Sequence, residues 1–208
     1  MVPYVILGMT YAFAAVVQPG QFQAYVLSQA LANGWRRTLP VGLAPILSDI
    51  PIVCLVLFVL TSVPAILVHS LQLAGGLFLL YLAWNAAKAC REYRQVQEAP
   101  PTSARKTVLN AALVNLLNPN PYIGWALILG PLTVRAWKQS PINGIALVVT
   151  FYTTIVLGTA ALVVFFAAAR SGGARVGRTL VGISAVALAC FGGYQLWSGV
   201  TAFVNGSA

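Results

Sequence analysis

Gln18-Pro19-Gly20-Gln21 and Asn118-Pro119-Asn120-Pro121 are two short polar stretches, and each interrupts a long apolar segment. The second begins one hundred residues after the first. A helix needs about 20 residues to cross a bilayer, so both stretches are expected near the membrane midplane. Proline there removes an amide proton and leaves a carbonyl that lipid cannot satisfy. Matched breaks of this kind in two halves of a chain are the best sequence indication of a solute-binding site within a membrane.

The composition supports a membrane environment. Apolar residues make up 59% of the 208 residues, charged residues 7%, and mean hydropathy is +0.84. Soluble domains are about 25% charged. The formal net charge is +9, but the basic residues cluster in short segments between apolar runs. Basic residues in such segments set the orientation of membrane helices, so we expect lipid, and not nucleic acid, to be the partner that surrounds the protein.

The N-terminus does not have the features of a cleaved signal peptide, and the cysteines do not have the spacing of a disulfide framework or a metal site. Met1-Val2-Pro3-Tyr4 has no basic region and no cleavage site follows it, so the first apolar run is expected to remain as a membrane helix. Cys54, Cys90 and Cys190 form no metal or disulfide motif. We therefore expect no cofactor and no metal site.

The apolar runs predict an all-α integral membrane protein with six transmembrane helices. The predicted spans are 4–32, 39–62, 65–89, 107–134, 142–169 and 178–203. Thr61-Ser62-Val63-Pro64 is the turn signal between the second and third spans. The segment Arg91 to Lys106 contains Pro100-Pro101 and mixed charges, which predicts a solvated linker. The predicted organisation is a first three-helix unit at 1–90, a linker at 91–106 and a second unit at 107–208.

The basic residues predict the orientation of these spans. With six spans, ten of the 12 Lys and Arg residues fall on one side, and only Arg135 and Lys138 fall on the other. The positive-inside rule then places the linker in the cytoplasm and both termini outside it.

The two halves share motifs in the same order, which predicts inverted three-helix repeats with broken first and fourth helices. The alternative is that Gly and Pro recur because they are common in membrane helices, although this does not explain their order. The matching stretches are Gln18-Pro19-Gly20 with Asn118-Pro119-Asn120, Pro40-Val41-Gly42 with Pro141-Ile142-Asn143-Gly144, and Gly75-Gly76 with Gly192-Gly193.

The breaks predict a polar binding site. Pro19 and Pro119 release the carbonyls of Ala15 and Asn115, and each break starts a half-helix whose first amides are unpaired. Carbonyls favour cations and helix N-termini favour anions, so the site suits a zwitterion. The alternative is that the prolines only kink the helices and the amides hold them together. The predicted substrate-binding residues are Gln18, Pro19, Gly20, Gln21, Asn115, Asn118, Pro119, Asn120 and Tyr122. Asn115, Asn118 and Tyr122 would share one helix face if the break is mild.

Asp49 is the one acidic residue within any predicted span. A carboxylate at that depth is costly and by default indicates function. It is predicted to bind a substrate ammonium group or to carry a coupling proton. The alternative is a hydrogen-bonded structural aspartate.

These residues resemble the LysE/RhtB family of small bacterial amino-acid exporters over nearly the whole chain. The resemblance is carried by Pro19-Gly20, Gly42, Asp49, Gly75-Gly76 with Tyr81, and Leu117-Asn118-Pro119. It implies six membrane helices, efflux of amino acids or related solutes, and drive from the proton gradient. The chain departs from the family pattern at Gln21, where proline is usual, at Asn120, where lysine is usual, and at Ser48, where glycine is common.

The resulting prediction is a secondary transporter that exports amino acids or related small zwitterionic or amine solutes by proton antiport. The main alternative is a channel or facilitator for neutral polar solutes. A metal-cation exporter is disfavoured because one aspartate is too few to strip a hydrated cation. A thiol-disulfide carrier is disfavoured because no cysteines lie at the breaks, and an enzyme because the spans contain no nucleophile–base pair or metal triad. A homo-oligomer is left open.

Overall fold

The computed structural model describes residues 1–18, 20–56, 65–91, 103–169 and 174–205, and the regular structure in those ranges is helical. A 3₁₀ segment lies at Leu39–Leu43 and a π-helical segment at Trp125–Leu129. The α-helices are α1 (Val2–Val17), α2 (Gln21–Asn33), α3 (Trp35–Thr38), α4 (Ala44–Cys54), α5 (Ala65–Arg91), α6 (Ala104–Leu116), α7 (Pro119–Gly124), α8 (Gly130–Gln139), α9 (Pro141–Ala169) and α10 (Ala174–Asn205).

Four helical stretches in the described ranges are long and apolar enough to cross a membrane: Trp35–Cys54, Ile66–Lys88, Pro141–Ala168 and Arg178–Ala202. Helices α1 and α2 together make a fifth, bent by 65° at their junction. The predicted span 107–134 is divided among α6, α7, the π-helical segment and α8. The six-span arrangement therefore stays a prediction.

Both predicted breaks coincide with helix ends. Helix α1 ends at Val17, and Gln18 and Gly20 have extended backbones before α2 begins. Helix α6 ends at Leu116, and Asn118 is extended, with its side-chain oxygen accepting from the Asn120 amide at 3.1 Å. Because Asn118 caps a new helix, the break is not mild. The expectation that Asn115, Asn118 and Tyr122 share one continuous helix face is therefore wrong.

The predicted linker is shorter than its sequence limits suggest. The Ser103 hydroxyl oxygen accepts from the Lys106 amide at 3.3 Å and caps α6, so Arg105 and Lys106 belong to that helix. Residues 92–102 and the turn at Thr61–Pro64 lie outside the described residues.

Helices α5 and α10 pack closely at a pair of glycines. A Cβ built on Gly76 would lie 2.9 Å from the carbonyl oxygen of Gly192, and one on Gly192 would lie 3.0 Å from that of Gly76. Gly193 was predicted to belong to this motif, but among the described residues no atom beyond its own helical turn lies within 4 Å of its Cβ position. The two backbones therefore approach most closely at Gly76 and Gly192.

Two apolar clusters form the interior. One joins α2, α5, α6 and α10 around Tyr25, Leu79 and Leu188. The other joins α1, α4, α9 and the π-helical segment around Trp125 and Phe151. Both clusters contribute residues to the wall of one cavity.

Candidate functional site

A cavity of about 370 Å³ lies where the two helix breaks meet. The predicted site residues that line it are Gln18, Gly20, Gln21, Asp49, Asn115, Asn118, Pro119 and Asn120. Pro19 lies outside the described residues. Tyr122 is buried but does not line the cavity, because its hydroxyl donates to the carbonyl of Leu116 at 3.0 Å. Tyr122 thus closes the end of α6, and its predicted position in the cavity wall is wrong.

Asp49 is 4% exposed, and neutral donors bind both of its carboxyl oxygens. Asn115 Nδ2 lies 3.0 Å from Oδ1. The Tyr152 hydroxyl lies 3.1 Å from Oδ2, and Trp125 Nε1 lies 3.4 Å from the same atom. These donors come from three parts of the chain (α6, the π-helical segment and α9). They fix the carboxyl group at the cavity wall without supplying a formal positive charge.

Ser48 positions one of these donors. Its hydroxyl lies 3.0 Å from the Ala44 carbonyl and 3.2 Å from that of Pro45, so its proton points back into α4. The hydroxyl oxygen is then free to accept from Asn115 Nδ2 at 2.7 Å. The Asn115 amide is thereby held between Ser48 and Asp49.

The carbonyls of Ala15 and Asn115 are hydrogen-bonded within the protein. Gln23 Nε2 donates to the Ala15 carbonyl at 2.9 Å and to the Val16 carbonyl at 3.2 Å. The Asn118 amide donates to the Asn115 carbonyl at 3.2 Å. A side chain from across the first break and a tightened turn at the second therefore each give these carbonyls a hydrogen bond within the protein, and their predicted contact with a solute stays a prediction.

The two half-helices differ at their N-termini. Asn118 caps α7 with its side chain, whereas Gly20 gives α2 no side-chain cap. The first amides of a helix have no intrahelical acceptor and carry partial positive charge. Gly20, Gln21 and Phe22 all line the cavity, so this end of α2 is an electropositive part of its wall.

Several cavity residues were not identified from the sequence. Gln72 and Gln195 are polar residues within predicted spans, a signal that was available. Trp125, which lines the cavity, and Tyr152, which is not among the lining residues but donates to Asp49, gave no such signal. They lie 76 and 103 positions from Asp49, and only the tertiary fold brings them to it.

A family model described as LysE type translocator matches residues 13–199 of the 208-residue chain. No curated protein and no solved structure matches it. The resemblance inferred from the sequence is confirmed, and so is the expectation of a transporter rather than an enzyme, since this is a family of translocators. Together with its apolar helices, the match makes this a multi-pass membrane protein. The chain belongs to the LysE type translocator family.

Proposed function

We propose that this protein exports amino acids or related small zwitterionic or amine solutes by proton antiport. The observation that carries the proposal is the position of Asp49. It is the one acidic residue within the predicted spans, and it lines the cavity between the two broken helices. An ionisable group in a membrane interior is typical of a substrate or proton site.

The cavity offers partners for both charges of a zwitterion. The uncapped N-terminus of α2 is suited to a carboxylate, because its first amides lack intrahelical acceptors. Asp49 is suited to an ammonium group, because it is the acidic side chain among the lining residues. A solute that bridges them would neutralise both ends of the site, whereas a bare anion or cation would neutralise only one.

Proton coupling follows from competition for the same carboxylate. Asp49 is buried among neutral donors, so a proton or a substrate ammonium group is needed to balance its charge in the low-dielectric interior. Binding of the ammonium group displaces the proton. In this cycle the protein carries substrate outward while Asp49 is ionised, and it returns with Asp49 protonated. One solute is thereby exchanged for one proton.

Inverted repeats are proposed for the fold, with units at 1–90 and 107–208 joined by the linker at 91–106. The approach of Gly76 and Gly192 is reciprocal, as a contact across a two-fold axis would be. The other contacts also correspond. Helix α1 of the first half packs on α9 of the second, and α6 of the second half packs on α4 of the first. Six spans in the inner membrane, with both termini outside the cytoplasm, accommodate this symmetry and the distribution of basic residues.

Asp49→Asn tests the function, because it preserves the shape of the side chain and removes its titration. In proteoliposomes with an imposed proton gradient, the wild type is expected to concentrate an amino acid, whereas Asp49→Asn loses this uphill transport. Glu98→Gln, which removes a carboxylate outside the predicted spans, is the matched control and is expected to behave as wild type. Uphill transport by the Asn variant with unchanged pH dependence would assign coupling elsewhere. Wild-type transport that does not depend on the proton gradient would favour a facilitator.

A further inference from the structure

Gln72 on α5 and Gln195 on α10 line the cavity but take no part in the hydrogen bonds to Asp49. Gln195 is 2% exposed, and neither its Nε2 nor its Oε1 has a partner among the described residues. Gln72 Nε2 donates to the Ser198 hydroxyl at 3.1 Å, whereas Gln72 Oε1 is also without a partner. Buried amides of this kind are rare, because burial without a hydrogen bond is unfavourable. Both residues therefore lie in the cavity wall and hold buried amide atoms that have no partner among the described residues.

Gly75 allows a third acceptor to approach the same place. A Cβ on Gly75 would lie 2.8 Å from Gln195 Oε1 and 2.6 Å from the carbonyl oxygen of Leu117. Leu117 is followed four positions later by Pro121, which has no amide proton to donate. Two acceptors on lining residues, Gln72 Oε1 and Gln195 Oε1, and the two N–H groups of Gln195 Nε2 are therefore without partners in the described part of the chain, and the Leu117 carbonyl lies beside them.

We propose that Gln195 and Gln72 form a subsite for a primary carboxamide in the side chain of the transported solute. A carboxamide has one carbonyl and two N–H groups. Its carbonyl accepts from Gln195 Nε2 while one N–H donates to Gln195 Oε1, which pairs the two amides edge to edge. The second N–H donates to Gln72 Oε1. This arrangement satisfies the orphan atoms of both glutamines.

The subsite rests on the proposed function, because it recognises the side chain of a solute whose charged groups bind elsewhere. The partners of Asp49 lie on α6, α9 and the π-helical segment, whereas Gln72 and Gln195 lie on α5 and α10. Asp49 and the N-terminus of α2 offer stronger partners for an ammonium and a carboxylate than neutral amides do. Gln72 and Gln195 therefore discriminate between amino acids by their side chains and do not bind the ammonium and carboxylate groups that all amino acids share.

Counterflow into proteoliposomes tests the subsite with L-glutamine, its isosteric anion L-glutamate, and L-leucine. We expect the wild type to prefer glutamine over leucine by about tenfold, the factor that corresponds to about 1.4 kcal/mol. Gln195→Leu is expected to reduce glutamine counterflow to the leucine level, and Gln72→Leu to reduce it in part. Gln139→Leu removes an exposed amide outside the cavity and is expected to keep the preference.

Thermal unfolding of the purified full chain separates recognition from structure. Gln195→Leu removes unpaired polar atoms, so its Tm is expected to equal or exceed that of the wild type, and added glutamine should raise Tm in the wild type alone. A lower Tm for Gln195→Leu, with no glutamine shift in the wild type, would make Gln195 structural and overturn the proposal. If the Leu variant does not insert, Gln195→Glu keeps the shape and removes the donor, and retained glutamine preference in that variant would likewise overturn it.

The outcomes distinguish this subsite from the function on which it rests. Transport of leucine and glutamine at equal rates by the wild type would overturn the carboxamide subsite and leave amino-acid export standing. Failure of all three amino acids to be transported or to shift Tm would overturn the export proposal together with the subsite.

Discussion

Gly75→Ala adds one methyl group at the point where α5 meets the break between α6 and α7. The new carbon would lie 2.6 Å from the Leu117 carbonyl oxygen and 2.8 Å from Gln195 Oε1. Carbon–oxygen contacts below 3.0 Å are not tolerated, so both neighbours must move. The glutamine side chain can rotate, but the carbonyl belongs to the backbone. We expect overpacking to cost about 1–3 kcal/mol. The helix propensity of alanine offsets up to about 1 kcal/mol of this.

The net destabilisation of Gly75→Ala is then about 0–2 kcal/mol, which lowers Tm by up to about 8 °C for a chain of this size, at about 2–4 °C per kcal/mol. Thermal unfolding in detergent measures the shift. Gly193→Ala is the matched control, because among the described residues no atom beyond its own helical turn lies within 4 Å of its Cβ position and only the gain in helix propensity remains. Counterflow of glutamine should also fall in Gly75→Ala, because the displaced atoms line the cavity or lie beside it. Equal Tm values for the two variants would refute the close approach at Gly75.

Three further outcomes are expected. A reporter that is active only in the cytoplasm should give a signal when fused after Glu98 and none after Ala208; a cytoplasmic signal at the C-terminus would contradict the six-span topology. Asn118→Leu should abolish transport while preserving membrane insertion, because it removes a polar group from the cavity and the cap of α7; immunoblots of membrane fractions and vesicle uptake measure the two effects. Gln23→Leu should lower stability by about 1–3 kcal/mol, because two carbonyls at the end of α1 lose their donor; unfolding in detergent measures this, and an unchanged Tm would show that those carbonyls find other partners.

The sequence predicted the helix breaks because proline acts locally. Pro19 and Pro119 fall where α1 and α6 have ended, and the described helices lie within or near the predicted spans. The conformation of the second break was not predictable in the same way. It depends on the Asn118 side chain, which caps α7 instead of facing a solute along a continuous helix. Which glycine of an adjacent pair meets the neighbouring helix was also undetermined, since it depends on the rotation of α10 about its axis.

The position of Asp49 in its helix was evident from the sequence, but its surroundings were not. A single carboxylate stands out in the sequence of an apolar span. Its donors Trp125 and Tyr152 do not stand out, because their segments contain other aromatic residues. The same applies to the carbonyls released by proline. The sequence shows that Ala15 loses its helical amide, but only the fold shows Gln23 reaching back across the break to replace it.

The reciprocal approach of Gly76 and Gly192 has a consequence for sequence variation in this protein. A large side chain in a core can usually be accommodated by a smaller one opposite. At this crossing the obstacle to a Cβ on either residue includes the carbonyl oxygen of the other, and no substitution removes a carbonyl. A mutation of Gly76 therefore cannot compensate for a larger residue at Gly192, nor the reverse. A larger residue at either position requires the two backbones to move apart, so glycine is favoured at each position independently for as long as α5 and α10 cross at this distance.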